Sequence, residues 1–455
     1  MCYARWSSEQ ELKKVTTPVS VHSKIEKSGL PMGYDQTNMF INTSESHSLI
    51  IGASGSGKTQ SIMLPMLKMS IMAGESFLIH DVKGELYRQF SSTLKENGYQ
   101  LVLLDFQDKK YGNYWNPLML PYELYQSGEK DDALELLNSL AYYLLYDDTY
   151  KGSNNDPFWE NTCRDYFVGL AIYLFEHAKK DEINLNCIFN LSSETVYLKN
   201  EITKLPKTSK IYLNLASTVL APPETKGSIL AVFNQKVKSY IVSDKLSQML
   251  SLTNFDLHNI SNQKTAIFVI GGHKNETYHL FPLFVDQLFY LIQSDHNIQN
   301  KKFFNIMLDE FESLMPIRNF TFLLNDARRD NIRFILFVNS LTSLTQTYGK
   351  EDAEMIKFFV GNIVYLFSND FNTLQEISHL CGNRWDETKN REVPLIGLEE
   401  LKTLSSFESV MLIPRYMPFR LKLLPDYVTP WPVTFLGEDP NLRQNVEISI
   451  YKVQS

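Results

Sequence analysis

Short apolar runs alternate with longer stretches of helical periodicity at both ends of the chain, which is the signature of parallel β-α units. The runs predict strands at Ser48–Ile51, Phe77–Asp81, Leu101–Asp105, Thr265–Ile270, Phe303–Leu308, Phe334–Val338, Ile363–Phe367 and Val410–Ile413. Between Asn116 and about Ala221 the alternation stops. There Leu134, Leu137, Leu140, Ala141 and Leu144 share one helical face, and Tyr166, Leu170 and Leu174 share another. The pattern reads as an all-helical domain, residues 118–222, inserted into an α/β domain made of residues 1–117 and 223–455. The helix-breaking pair Pro222–Pro223 closes the insertion.

A length of 455 residues fits more than one core, since a domain usually takes about 100 to 200 residues. With 44% apolar and 21% charged residues, the chain has an ordinary globular composition. No uninterrupted apolar run reaches the roughly 18 to 20 residues of a membrane span, and the amino terminus lacks a basic stretch followed by an apolar one. These features predict a soluble chain. Its four cysteines, Cys2, Cys163, Cys187 and Cys381, lie far apart, which fits a reducing, cytoplasmic setting better than a disulfide framework or a zinc site. A formal net charge of −8 argues against nucleic-acid binding by bulk electrostatics, so any DNA contact falls to local basic positions. Lys236, Lys238 and Lys350 are candidates, though an exposed lysine is more often simply solvated.

Gly52-Ala53-Ser54-Gly55-Ser56-Gly57-Lys58-Thr59 matches the phosphate-loop pattern, between an apolar strand and a helical pattern. Glycines let backbone N–H groups turn inward around phosphates, and the following helix aims its positive end at them. In that setting Lys58 reaches the β- and γ-phosphates of ATP and the Thr59 hydroxyl ligates Mg²⁺. The fold implied is α/β, a RecA-like P-loop nucleoside triphosphatase with a mainly parallel central sheet and the all-alpha insertion.

Phosphoryl transfer also needs a carboxylate for the metal and a group to orient the attacking water. At the end of the run Phe303–Leu308, Asp309 suits the metal and Glu310 the water. The competing reading is an acidic pair in the first turn of a helix. Asp81 and Lys83 close the second strand, at the edge where ligands of open α/β sheets sit, and a surface turn explains them nearly as well.

Together these residues resemble the coupling proteins of type IV secretion and conjugation, the TraG-like ATPases. The resemblance is carried by Tyr3-Ala4-Arg5-Trp6; by the phosphate loop followed by Gln60, Ser61 and Pro65; and by Asp81-Val82-Lys83-Gly84-Glu85-Leu86. It continues through Asn116-Pro117-Leu118, Asp156-Pro157-Phe158-Trp159, Leu308-Asp309-Glu310-Phe311, Asn339-Ser340-Leu341 and Tyr348-Gly349. It implies a homohexameric ring ATPase that hands relaxase-bound DNA, single- or double-stranded, or a protein substrate, to the secretion channel proteins. It also implies that Asn339, where the family usually has glutamine, senses the γ-phosphate, and that an arginine finger reaches across from the neighbouring subunit. Arg328 fits the finger's position, Arg329 is its nearest rival and Arg333 begins the next strand.

The family tolerates Pro65 in a helix interior, where proline costs about 3 kcal/mol. It usually carries membrane helices ahead of the amino-terminal segment, which here begins at Tyr3. The anchor is then removed, supplied by another polypeptide, or replaced by docking through partners, with the chain peripheral at the inner membrane face. A nucleotide-gated receptor scaffold with slow turnover and a DNA pump outside secretion are the alternatives.

Overall fold

The computed structural model describes residues 3–20, 22–35, 37–145, 158–260, 262–271, 277–294 and 302–453. Fourteen strands form among them. Three short ones, β1 (Thr17–Ser20), β2 (Leu30–Tyr34) and β3 (Asn38–Asn42), make a small antiparallel sheet with β3 in the middle. The large sheet uses β4 (Ser48–Gly52), β5 (Ser76–His80), β6 (Gln100–Asp105), β7 (Thr265–Ile270), β8 (Phe304–Leu308), β9 (Ile332–Val338) and β10 (Asn362–Phe367). A hairpin, β11 (Asn383–Asp386) and β12 (Arg391–Pro394), stands apart, and β13 (Glu408–Leu412) and β14 (Phe419–Lys422) complete the large sheet.

The strand order there is β14-β13-β10-β4-β9-β8-β5-β7-β6. From β10 to β7 every pairing is parallel, and β13 and β14 add antiparallel pairs at one edge. All eight strands expected from the apolar runs are present, with ends shifted by a residue or two. The central ones are buried from end to end, as parallel strands covered on both faces must be.

Two compact units divide the chain. The first comprises Met1–Val102, His258–Ile270 and Leu291–Asp439, and holds the sheet through the first residues of β6. Within it, Arg333 is committed at the amino end of β9. Its guanidinium donates to Asn305 Oδ1 at 2.9 Å, to the Ser28 carbonyl at 3.0 Å and to Glu75 Oε2 at 3.0 Å, all of them buried. An arginine so held is structural.

The second unit comprises Leu103–Leu257, Gly271–Tyr290 and Pro440–Ser455. Helices Lys130–Leu145 and Phe158–His177 bury Leu137, Leu140, Ala141, Leu144, Tyr166, Leu170 and Leu174, while Leu134 is half-buried. Asn116 ties the start of this unit together: its amide donates to the carbonyls of Ile183 and Ser251 at 2.6 and 3.1 Å, and its Oδ1 accepts from the Leu118 N–H.

Two features differ from the sequence expectation. Pro223 opens a helix, Pro223–Ile241, because proline's missing N–H is harmless in a first turn. That helix packs Phe233 edge-on to Tyr166 at 5.1 Å, so the helical region continues past the proline pair. Residues 441–453 run as an extended strap within the same unit. Arg443 donates to the carbonyls of Asn113 and Lys109 at 2.9 and 2.6 Å, and the Tyr451 N–H donates to Cys187 Sγ at 3.1 Å.

Among the described residues no helix is long and apolar enough to cross a membrane. Asp156 and Pro157 of the Asp156–Trp159 motif lie outside the described residues, whereas Phe158 and Trp159 begin the helix that follows.

Candidate nucleotide site

Parallel strands end on one edge of the sheet, and there their loops leave a crevice. At this edge β4 runs into the phosphate loop, whose tight turn needs the left-handed backbone of Gly55 and Gly57, φ 78° and 93°. The chain then enters a wide π-type turn, Thr59–Met63, in which the Leu64 N–H donates to the Thr59 carbonyl. The α-helix Leu64–Ala73 starts only afterwards and places Pro65 in its first turn. The widening resolves the proline problem, since in that turn the proline removes no helical hydrogen bond. Gly74, at φ 68°, ends the helix with its N–H on the Ile71 and Ser70 carbonyls.

A cavity of about 680 Å³ opens over the loop, lined by Ala53 through Gln60 together with Asp309, Glu310, Asn339, His80, Asp81 and Lys83. The volume suits a nucleotide-sized ligand. Of the residues proposed for nucleotide, metal or catalysis, Gly52 is buried beneath the loop and Arg328 lies elsewhere; the others meet here.

Lys58 Nζ donates to the Gly52 carbonyl and, at 3.1 Å, to Asn339 Oδ1. Burial holds the Lys58 pKa below its ordinary value, while Asp309, Glu312 and Glu310 pull it back up. A lysine ammonium in a partly desolvated loop is strongly attracted to phosphate. The Asp309 carboxylate accepts from the Glu310 N–H at 3.1 Å, and the Asp309 carbonyl lies 2.8 Å from His80 Nδ1. Thr59 and Asp309 offer the hard oxygen donors that Mg²⁺ takes alongside substrate phosphates, so the residues present fit that ion. Glu310 has φ 48° and ψ 43°, a left-handed conformation that is uncommon without glycine and clusters at functional sites.

Glu312, not singled out by the sequence, ties this turn to Asn339. Its Oε1 accepts from the Asn339 N–H at 2.8 Å, and burial raises its pKa against that hydrogen bond. Tyr348 packs behind, its ring stacked on Phe311 at 5.0 Å. Asp81 is turned toward the helix Glu85–Glu96, accepting from the Tyr87 N–H at 2.9 Å. Burial pushes the Asp81 carboxyl up to about 6, against four backbone N–H groups that favour its charged form. Lys83 is exposed in the cavity wall.

Arg328 and Arg329 sit on a short turn, Arg328–Asp330, leading into β9. Arg328 is half-buried and donates to the Phe359 carbonyl, whereas Arg329 is exposed. Of the candidate lysines, Lys238 and Lys350 are exposed and Lys236 is half-buried.

Three comparisons bear on this arrangement. A family model described as type IV secretory system conjugative DNA transfer matches residues 4–405. Among curated proteins no relative matches by sequence. Among solved structures, the plasmid coupling protein TrwB with the ATP analogue ADPNP superposes with a TM-score of 0.68 at 14% identity, covering 98% of this chain and 97% of that one. TrwB with ADP and Mg²⁺ gives 0.67 at 15% identity, covering 96% and 97%. VirB4 of Thermoanaerobacter pseudethanolicus gives 0.55 at 12% identity, covering 90% and 99%. At these identities the likeness is one of fold, and it is the RecA-like P-loop fold expected from the motif.

Proposed function

The chain belongs to the type IV secretory system conjugative DNA transfer family, and from that premise we propose that it hydrolyses ATP to drive or gate the passage of relaxase-bound DNA, or a protein substrate, into a secretion channel. The observation that carries the reading is the meeting of Lys58, Thr59, Asp309, Glu310 and Asn339 in one cavity over the phosphate loop. Solved relatives of this fold hold nucleotide, in one case with Mg²⁺.

In this reading the loop N–H groups and Lys58 grip the phosphates, and the Thr59 hydroxyl and Asp309 would hold Mg²⁺. When bound, the ion neutralises charge on the phosphate oxygens. Glu310 orients and polarises the attacking water, and Asn339 reads the γ-phosphate while its backbone is held by Glu312. No arginine lines the cavity among the described residues, so the finger comes from a neighbouring copy in a hexameric ring. Arg328 and Arg329 are its candidates, the first tied to the Phe359 carbonyl and the second exposed. The ring sits peripherally at the inner membrane face.

The test is the ATPase rate of protein assembled on a hexamerising tag, measured against single- and double-stranded DNA at two ionic strengths. DNA should accelerate turnover at low salt and lose that effect sharply as salt rises, as backbone-phosphate contacts do. Stimulation by a secreted protein alone would move the substrate to protein. Stimulation by neither would favour a nucleotide-gated scaffold.

A further inference from the structure

The nucleotide cavity has two unlike flanks, and the proposed chemistry uses one of them. On one side of β4 stand β9, β8 and β5, whose ends bring Asn339, Asp309, Glu310, His80 and Asp81 to the cavity. On the other side stand β10 and β13. Because β13 runs antiparallel to β10, it begins at the edge where the parallel strands finish. The loop feeding it therefore joins the end of β10 in the cavity wall, and both phenyl rings among the lining residues, Phe367 and Phe407, lie on this flank.

A nucleoside triphosphate is a linear ligand. With its terminal phosphate turned to the carboxylates on the β9 side and its phosphates over the loop, its base extends toward the β10 side. We infer that Leu366, Phe367, Leu404, Ser405, Ser406 and Phe407 form the seat of the nucleobase, with the Phe407 ring as its stacking platform. This inference rests on the nucleotide reading above.

Phe407 is built for such a post. Its φ of 64° is a strained conformation for a bulky side chain, and such strain persists only where the surroundings impose it. Here they do. The Glu408 N–H donates to the Ser405 carbonyl at 2.9 Å, the Ser405 N–H to Glu408 Oε2 at 3.1 Å, and the Leu423 N–H to the Phe407 carbonyl at 2.8 Å. Glu408 is in turn gripped by Arg420 Nε at 2.6 Å. The ring lies directly against the phosphate loop, where a Cβ added to Gly57 would come within 2.9 Å of it. An aromatic face fixed beside the loop is preorganised to stack a flat base.

The polar side chains of the seat are the hydroxyls of Ser405 and Ser406, which rotate to donate or accept. Neither distinguishes the edge of adenine from that of guanine, so the seat takes either purine.

The experiment titrates the full chain calorimetrically with Mg-ATP, Mg-GTP and Mg-tripolyphosphate, the last carrying phosphates without a base. Wild-type protein should bind ATP and GTP within about threefold of each other, given adaptable hydroxyls. Phe407→Ala should weaken both by about tenfold, the scale of a lost aromatic stack, and leave tripolyphosphate unchanged. Phe407→Trp should restore both. Equal weakening of tripolyphosphate would reduce the ring to a prop for the loop and overturn the seat, as would unaltered ATP binding. A large preference for ATP over GTP would overturn the purine tolerance. Wild-type protein that binds neither ATP nor tripolyphosphate would overturn the nucleotide reading itself, and the seat with it.

Discussion

On the β9 side of β4, Glu310 holds a φ of 48° beside Asp309; on the β10 side, Phe407 holds a φ of 64° against Gly57. Each turn carries a strain on the order of 1 to 3 kcal/mol, and each is pinned by its neighbours. What they present differs. The β9 side gathers charge in partly buried surroundings, where Lys58 is held below its usual pKa and Glu312 above its own. The β10 side gathers apolar and aromatic surface with two hydroxyls. In the proposed reading the contrast separates two tasks: polar groups that act on phosphate, and a surface that affects how tightly the nucleotide is held.

The division is tested most strongly at Lys58, whose proposed partners are the phosphates. Lys58→Ala should weaken Mg-ATP and Mg-tripolyphosphate alike, by about 100-fold, since charged hydrogen bonds are among the strongest in a site. Calorimetric titration reads both, and unchanged affinity would remove Lys58 from the site. The pattern should contrast with Phe407→Ala, which spares the ligand without a base.

A smaller effect tests the strain itself. Glycine adopts positive φ freely, so Glu310→Gly should be more stable than Glu310→Ala by about 1 kcal/mol, and Phe407→Gly more stable than Phe407→Ala by a similar amount. Each pair loses the same functional group, so the difference reports the backbone. Denaturant midpoints at matched slopes measure it, and equal stabilities within a pair would show that turn to be relaxed.

The two flanks were unequally legible in the chain. Asp309 and Glu310 follow an apolar run and can be located by the roles that a phosphate loop demands. Nothing in Leu404-Ser405-Ser406-Phe407 advertises a site. Its place in the cavity depends on β13 pairing antiparallel to β10, a long-range fact that local spacing does not carry. Glu312 was hidden for a related reason, because its partner is a backbone N–H twenty-seven positions away.

The parallel strands were visible because they are buried on both faces and read as continuous apolar runs. The small sheet of β1, β2 and β3 mixes polar and apolar positions within four or five residues each and gave no such signal. The strap after Pro440 was invisible because backbone groups, with no side-chain period, hold much of it. Pro223 was visible but ambiguous, since the same residue stops one helix and starts the next.

Whether Glu310 orients the attacking water is decided by a single comparison on assembled protein: the dissociation constant for Mg-ATP and the single-turnover hydrolysis rate of Glu310→Gln against wild type. Affinity should stay within about threefold and hydrolysis should slow by at least about 100-fold, because the phosphate grip survives while the group that orients water is lost. Hydrolysis at the wild-type rate in Glu310→Gln would contradict that role.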